Sequence, residues 1–129
     1  MRAWSDYQET MRAEDVLFSF ARSGDLDSLR ELELPADRVN SKDSKGYSAL
    51  MLASYHGNLE CARFLVERGA DPNSADPGGN SVLMGAVFKG DLEVVRFLID
   101  AGAQVDARNE KNQSALDVAK MFGREEVSL

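Results

Sequence analysis

The sequence repeats itself. Residues 43–75 and 76–108 align without a gap at an offset of 33 residues. The matches are Asp43/Asp76, Gly46/Gly79, Ser48/Ser81, Leu50/Leu83, Ala53/Ala86, Gly57/Gly90, Leu59/Leu92, Arg63/Arg96, Phe64/Phe97, Leu65/Leu98, Gly69/Gly102 and Ala70/Ala103. Forward by the same offset, Ser114, Leu116, Ala119 and Gly123 fall on Ser81, Leu83, Ala86 and Gly90. Backward, Leu17, Gly24, Leu26 and Asn40 fall on Leu50, Gly57, Leu59 and Asn73. A fixed period of this length marks a stack of supersecondary units that bury their apolar faces against one another. The chain divides into an N-terminal extension, 1–12, a capping unit, 13–42, two full units, 43–75 and 76–108, and a truncated unit, 109–129. The end units depart from the pattern, as expected where one face of a stack meets water.

Each full unit has the same local plan. Asp-x-x-Gly (Asp43 and Gly46, Asp76 and Gly79) is turn chemistry: the carboxylate can accept from backbone N–H groups ahead of it, and glycine accepts positive φ. A serine two residues later (Ser48, Ser81, Ser114) precedes an apolar run and suits a helix N-cap. A helix of about nine residues should follow, stopped by Gly57, Gly90 or Gly123. A second helix, Leu59–Arg68 or Leu92–Ala101, is stopped by Gly69 or Gly102, and a short extended tract follows. In the first unit Ala13 to Ser23 reads as a helix ending at Gly24, with Val16, Leu17, Phe20 and Ala21 on one side. Asp25 and Asp27 put carboxylates at the start of the next helix, which stops before Pro35. The expected core is Leu50, Leu52, Ala53, Leu59, Ala62 and Leu65, with Leu83, Ala86, Leu92, Val95, Leu98, Leu116 and Ala119. Gly85 stands out inside a helix, where glycine costs up to ~1 kcal/mol against alanine. Two readings stand: close packing requires it, or the helix is locally weak. Trp4, Tyr7 and Met11 share one helical face, which suits a short helix covering the first unit, a frayed tail, or a segment folded back over the groove of the stack.

These residues resemble the ankyrin repeat, a turn plus two helices in 33 residues with a Thr-Pro-Leu-His-x-Ala signature. The signature positions read Ser48-Ala49-Leu50-Met51-Leu52-Ala53, Ser81-Val82-Leu83-Met84-Gly85-Ala86 and Ser114-Ala115-Leu116-Asp117-Val118-Ala119. Gly57-Asn58-Leu59-Glu60, Gly90-Asp91-Leu92-Glu93, Gly69-Ala70-Asp71-Pro72-Asn73 and Gly102-Ala103-Gln104-Val105-Asp106 fit the second half. No proline follows the serine, and Met or Asp replaces histidine, which predicts looser helix starts. The resemblance implies an all-α solenoid of about four helix-turn-helix units with short connecting turns or hairpins. It implies a protein–protein interaction module without an active site or cofactor, binding through turn tips and the groove made by the first helices.

In the family's unit the residues just before the helix-ending glycine face that groove. Here they form two columns: Arg22, Tyr55, Phe88 and Met121, and beside it Ser23, His56, Lys89 and Phe122. Large apolar residues grouped at exposed positions suggest a binding surface. Tyr and Arg are favoured at interface hot spots, and Met adapts to irregular partners. Turn tips add Ser44, Lys45, Tyr47, Pro77, Asn80, Lys111 and Gln113. Met121 and Phe122 have a second reading, as capping core of the truncated unit.

The formal charge is −7, with Lys+Arg at 15 and Asp+Glu at 22. An acidic chain argues against nucleic acid or an anionic membrane as partner, because both require a basic face. The acidity fits either a basic protein partner or a solvated surface without partner significance. No stretch approaches the ~20 apolar residues of a membrane span. One cysteine, Cys61, offers no disulfide framework, and residues 1–12 lack the apolar core of a signal peptide, so a cytoplasmic monomer is expected. His56 and Cys61 are the only His and Cys; the groove and the second helix should point them apart, and they fall short of a zinc ligand set. Gly78-Gly79-Asn80-Ser81 lacks the lysine and spacing of a phosphate-binding loop. An enzyme is therefore not expected. Two functions use the same groove: an adaptor that holds a protein partner, and an inhibitor or self-protection protein that covers a partner enzyme's active site.

Overall fold

A serine hydroxyl starts the first helix of three successive repeats. In a computed structural model describing residues 13–33, 35–124 and 126–127, Ser48, Ser81 and Ser114 accept from the backbone N–H of Met51, Met84 and Asp117, each at 3.2 Å. The reading of Trp4, Tyr7 and Met11 lies outside the described residues. Among the described residues seven α-helices follow in order: α1 Ala13–Ser23, α2 Leu26–Glu31, α3 Ala49–Tyr55, α4 Leu59–Glu67, α5 Val82–Lys89, α6 Leu92–Asp100 and α7 Ala115–Met121. A 3-10 turn, Ala36–Arg38, lies between α2 and α3. The first helices are shorter than the nine residues expected, with seven in α3 and α7 and eight in α5.

Helix ends follow the local chemistry. Asp25 caps α2, accepting from the Ser28 backbone N–H at 3.1 Å and from its hydroxyl at 2.7 Å, and these bonds hold the Asp25 carboxyl below its ordinary pKa. Asp91 caps α6 through the Val94 N–H at 3.2 Å. Gly57 adopts φ 74°, a left-handed conformation that reverses the chain between α3 and α4. The turns close as expected: Asp43 Oδ1 accepts from the N–H groups of Lys45 and Tyr47, both at 2.9 Å. Isolated bridges Lys42–Ser48 and Ala75–Ser81 brace the turns; no strand forms among the described residues.

The helices pack in two rows. α1, α3, α5 and α7 contact in sequence, as do α2, α4 and α6, and each pair within a unit also packs together. The core runs along the stack through Leu17, Leu29, Leu50, Leu65, Leu83 and Leu98, all fully buried. Ala21, Ala53, Ala62 and Ala86 are fully buried where helices approach, so larger side chains there would overpack. Phe20, Leu59 and Leu92 are half-buried against this core, and Phe18, which the helical face did not include, is buried.

One expected core residue is outside. Leu50 and Leu83 are 1% and 0% exposed, but Leu116 in the same column is 41% exposed. Among the described elements no helix packs beyond α7, so nothing covers its outer face. The looser helix starts do not appear at α7. Asp117 Oδ2 accepts from the Ser114 N–H at 2.9 Å, closing a reciprocal capping box in place of the serine–histidine link.

Candidate protein-interaction groove

The first helices end in a row of rings. Tyr55 and Phe88 lie parallel, with centroids 6.3 Å apart and 9° between planes. Phe88 meets Phe122 edge-on, at 4.7 Å and 84°. His56 stands edge-on to Tyr55 at 5.3 Å. Such offset-parallel and edge-on geometries follow the ring quadrupole. The sequence columns placed Met121 beside Phe88. The ring that reaches Phe88 is Phe122, the C-cap of α7, from the neighbouring column.

This row forms one wall of an elongated depression of about 580 Å³. The helices of the first row and the turns between units line it. Of the candidate residues, Arg22, Lys45, Tyr47, Tyr55, His56, Asn80, Phe88, Gln113, Met121 and Phe122 come together here. Lys89 does not line the depression but holds its ammonium 4.8 Å from the centre of the Tyr55 ring, a cation–π contact at the rim. Ser44 is exposed on the Asp43–Tyr47 turn and does not reach the depression. Ser23 and Pro77 also stay outside it, and Lys111 joins it. Tyr55, Met121 and Phe122 are 39%, 57% and 48% exposed, so the last two are not capping core.

Sequence reasoning missed the floor. Met51, Leu52, Met84, Gly85 and Val118 lie there. Met51 and Met84 occupy the position where the family signature has histidine, and that departure was the available signal. The third turn was also missed. Asn109 accepts from the N–H groups of Lys111 and Gln113 at 3.0 and 2.9 Å, and Asn112 takes the left-handed conformation at φ 61°. Asparagine is the residue after glycine that best tolerates this region, so Asn109 and Asn112 reproduce the Asp-x-x-Gly turn without its letters.

Cys61 is buried on α4, and burial pushes its thiol up from its ordinary pKa, with Asp25 and Glu60 adding to the effect. His56 is exposed in the groove, so the two do not share a surface. Among the described residues no group of three His, Cys, Asp or Glu side chains could hold a metal ion, and no helix is long and apolar enough to cross a membrane.

A family model for ankyrin repeats in three copies matches residues 17–109. The chain belongs to the ankyrin-repeat family. Human DNA-binding protein RFXANK is 42% identical over 57 residues, covering 43% of this chain and 22% of that protein. Zebrafish ankyrin repeat domain-containing protein 29 is 46% identical over 66 residues, covering 50% of this chain and 22% of that protein. Human ankyrin repeat domain-containing protein 39 is 39% identical over 62 residues, covering 48% of this chain and 34% of that protein. The chain thus spans between a fifth and about a third of the length of these relatives. Ankyrin repeats generally serve as protein–protein interaction modules.

Proposed function

We propose that this ankyrin-repeat chain is a non-catalytic module that binds a protein partner in the groove between Arg22 and Phe122. The observation that carries the reading is the aromatic row. Tyr55, Phe88 and Phe122 are prearranged in mutual contact at the edge of an open depression, with Tyr55 and Phe122 exposed. Aromatic anchors already held in place bind a partner at little entropic cost, and hot spots concentrate in such residues. Tyr55 and Phe122 are exposed beyond the buried core of Leu50, Leu83 and Ala86, and Phe88 is half-buried against it, which anchors the row.

Affinity capture from the source cell with mass spectrometry identifies the partner. The double substitution Tyr55→Ala with Phe88→Ala then tests the groove. Binding should weaken by at least 2 kcal/mol, since hot-spot truncations cost about that or more. The far-ultraviolet circular dichroism should stay unchanged. Parental affinity in the double variant would refute the groove. An activity assay on the captured protein, with and without the chain, separates an adaptor from an inhibitor.

A further inference from the structure

The groove has a gap at Gly85. The column through the floor reads Leu52, Gly85 and Val118, so the central repeat lacks the branched side chain that its neighbours carry. Packing does not demand the glycine. A Cβ built at Gly85 would meet only Tyr55 Cδ2, at 3.8 Å, which is ordinary van der Waals contact. Nor does the backbone demand it, since Gly85 is helical and is not among the residues with positive φ. Helix α5 thus carries a residue that weakens it and that neither sterics nor conformation explains. Its effect is to leave this column one side chain short between the Leu52 and Val118 positions, and this gap beside the Tyr55 ring is the notch.

The charge of the groove differs from that of the chain. The whole chain carries −7. The groove lining holds Arg22, Lys45 and Lys111 against two carboxylates, Asp43 and Asp76. Both carboxylates are bonded into their turns: Asp43 to the N–H groups of Lys45 and Tyr47, and Asp76 to those of Gly78 and Asn80, all at 2.9 Å. No ion pair is made by Arg22, Lys45, Lys89 or Lys111 among the described residues. The exposed acids Glu60, Glu67, Glu93 and Asp100 sit on α4 and α6, off the groove. The chain's acidity fits either a basic partner or a solvated surface without partner significance; the lining, with three cations against two carboxylates, has the opposite sign to the chain as a whole. Both carboxylates are turned to the backbone and the cations make no ion pair among the described residues, so it is the cations that are left to meet a ligand's charges, and they favour anionic segments.

Resting on the groove reading above, we propose that the groove takes an acidic peptide segment of a partner, whose one bulky aliphatic side chain fills the notch at Gly85 while its carboxylates meet Lys45, Lys89 and Lys111. The test is selection of a random peptide display library on the full chain, followed by fluorescence anisotropy with the enriched peptides. Enriched peptides should carry Asp or Glu around a single Leu, Ile or Met. Gly85→Leu, which restores the residue of the Leu52 position, should weaken them at least tenfold. Gly85→Ala, which adds one carbon and should fold at least as well, should weaken them by a smaller measurable factor. Lys45→Glu with Lys111→Glu should weaken them at least tenfold and flatten the salt dependence. Basic enriched peptides, or undiminished binding by both Gly85 variants, would overturn the proposal. If such peptides still lose affinity in the Tyr55→Ala, Phe88→Ala variant, the groove reading survives; if they do not, it fails as well. No enrichment overturns both. Displacement of the enriched peptides by a synthetic peptide of residues 1–12 would assign the groove to the chain's own N-terminal segment. A dimer by sedimentation that the peptides dissociate would assign it to a second copy. Either result also overturns the external partner.

Discussion

At the scale of single residues, three positions can be read from their surroundings alone. Ser54 is fully buried on α3, and its hydroxyl finds no hydrogen-bond partner among the described residues. The next repeat places Val87 there. A buried hydroxyl without a partner costs about 1 kcal/mol or more of desolvation. Ser54→Ala should therefore raise the denaturant midpoint, and a lower midpoint would mean that the hydroxyl has a partner after all. Gly85→Ala should also stabilise, by up to ~1 kcal/mol, because the added methyl meets the Tyr55 ring in ordinary van der Waals contact at 3.8 Å and the helix loses its weakest former. The expected pairing of higher thermal midpoint and weaker peptide binding separates a functional notch from an idle one. Gly57 is the reverse case. Its φ is +74°, and a Cβ there would lie 3.1 Å from Asp91 Oδ2. Gly57→Val should destabilise by about 2 kcal/mol, since the left-handed region costs L-residues roughly that much and β-branching makes it worse. An unchanged melting temperature would show that the α3–α4 turn can rearrange.

At the scale of elements, what was legible in the sequence is what local chemistry decides. Serine caps and helix-ending glycines fix the starts and stops of α3 to α7 within a residue or two, because cap hydroxyls and positive φ act over three or four residues. The exposed pair Tyr55 and Phe122 was legible because the fold has no other use for it. Three things were not. The Asn109 turn uses a different residue pair for the same hydrogen bonds. Phe122, from the neighbouring column, meets Phe88: α5 runs one residue further than α3 and α7, a difference that a strict 33-residue offset ignores. Leu116 keeps the periodic pattern, but among the described elements no helix packs on its face, and periodicity does not report which faces are covered. The start of α7 also gives a pH prediction. The bonds from the Ser114 backbone N–H and hydroxyl hold the Asp117 carboxyl below its ordinary value, and Arg108, 3.4 Å away, and Lys120 assist. A carboxylate depressed in the folded state stabilises above its unfolded pKa of about 3.9 and loses that contribution as pH falls through its folded value. Asp117→Asn should lower the stability at neutral pH, and the gap to the parent should close below about pH 4. A gap that persists at lower pH would assign the effect to shape and not to charge.

At the scale of the molecule, stability is a sum of neighbour contacts, and the asparagines between units are where that sum can be cut. Asn40 donates to Gly69 O at 3.0 Å and accepts from the Asp71 N–H at 2.7 Å. One repeat later, Asn73 donates to Gly102 O at 3.0 Å and accepts from the Gln104 N–H at 2.8 Å. Each side chain thus ties the tract after one second helix to the tract after the next. Asn58 adds a similar tie, donating to Ala21 O at 2.8 Å. The Asn40 and Asn73 ties are exposed, so water can replace them, and Asn73→Ala should cost only about 1 to 2 kcal/mol for two bonds. The loss should not be spread evenly. In a one-dimensional stack a weakened interface lets the blocks on either side open separately. The block α5–α7 has the weaker end, because α7 has its substantial contacts with α5 alone and leaves Leu116 uncovered. Native-state hydrogen exchange of Asn73→Ala should therefore show protection falling more in α6 and α7 than in α1 and α3. Asn40→Ala should shift the loss toward α1 and α2. An equal loss across all helices in both variants would mean that the array unfolds as one unit and that the asparagine ties merely add to a global stability.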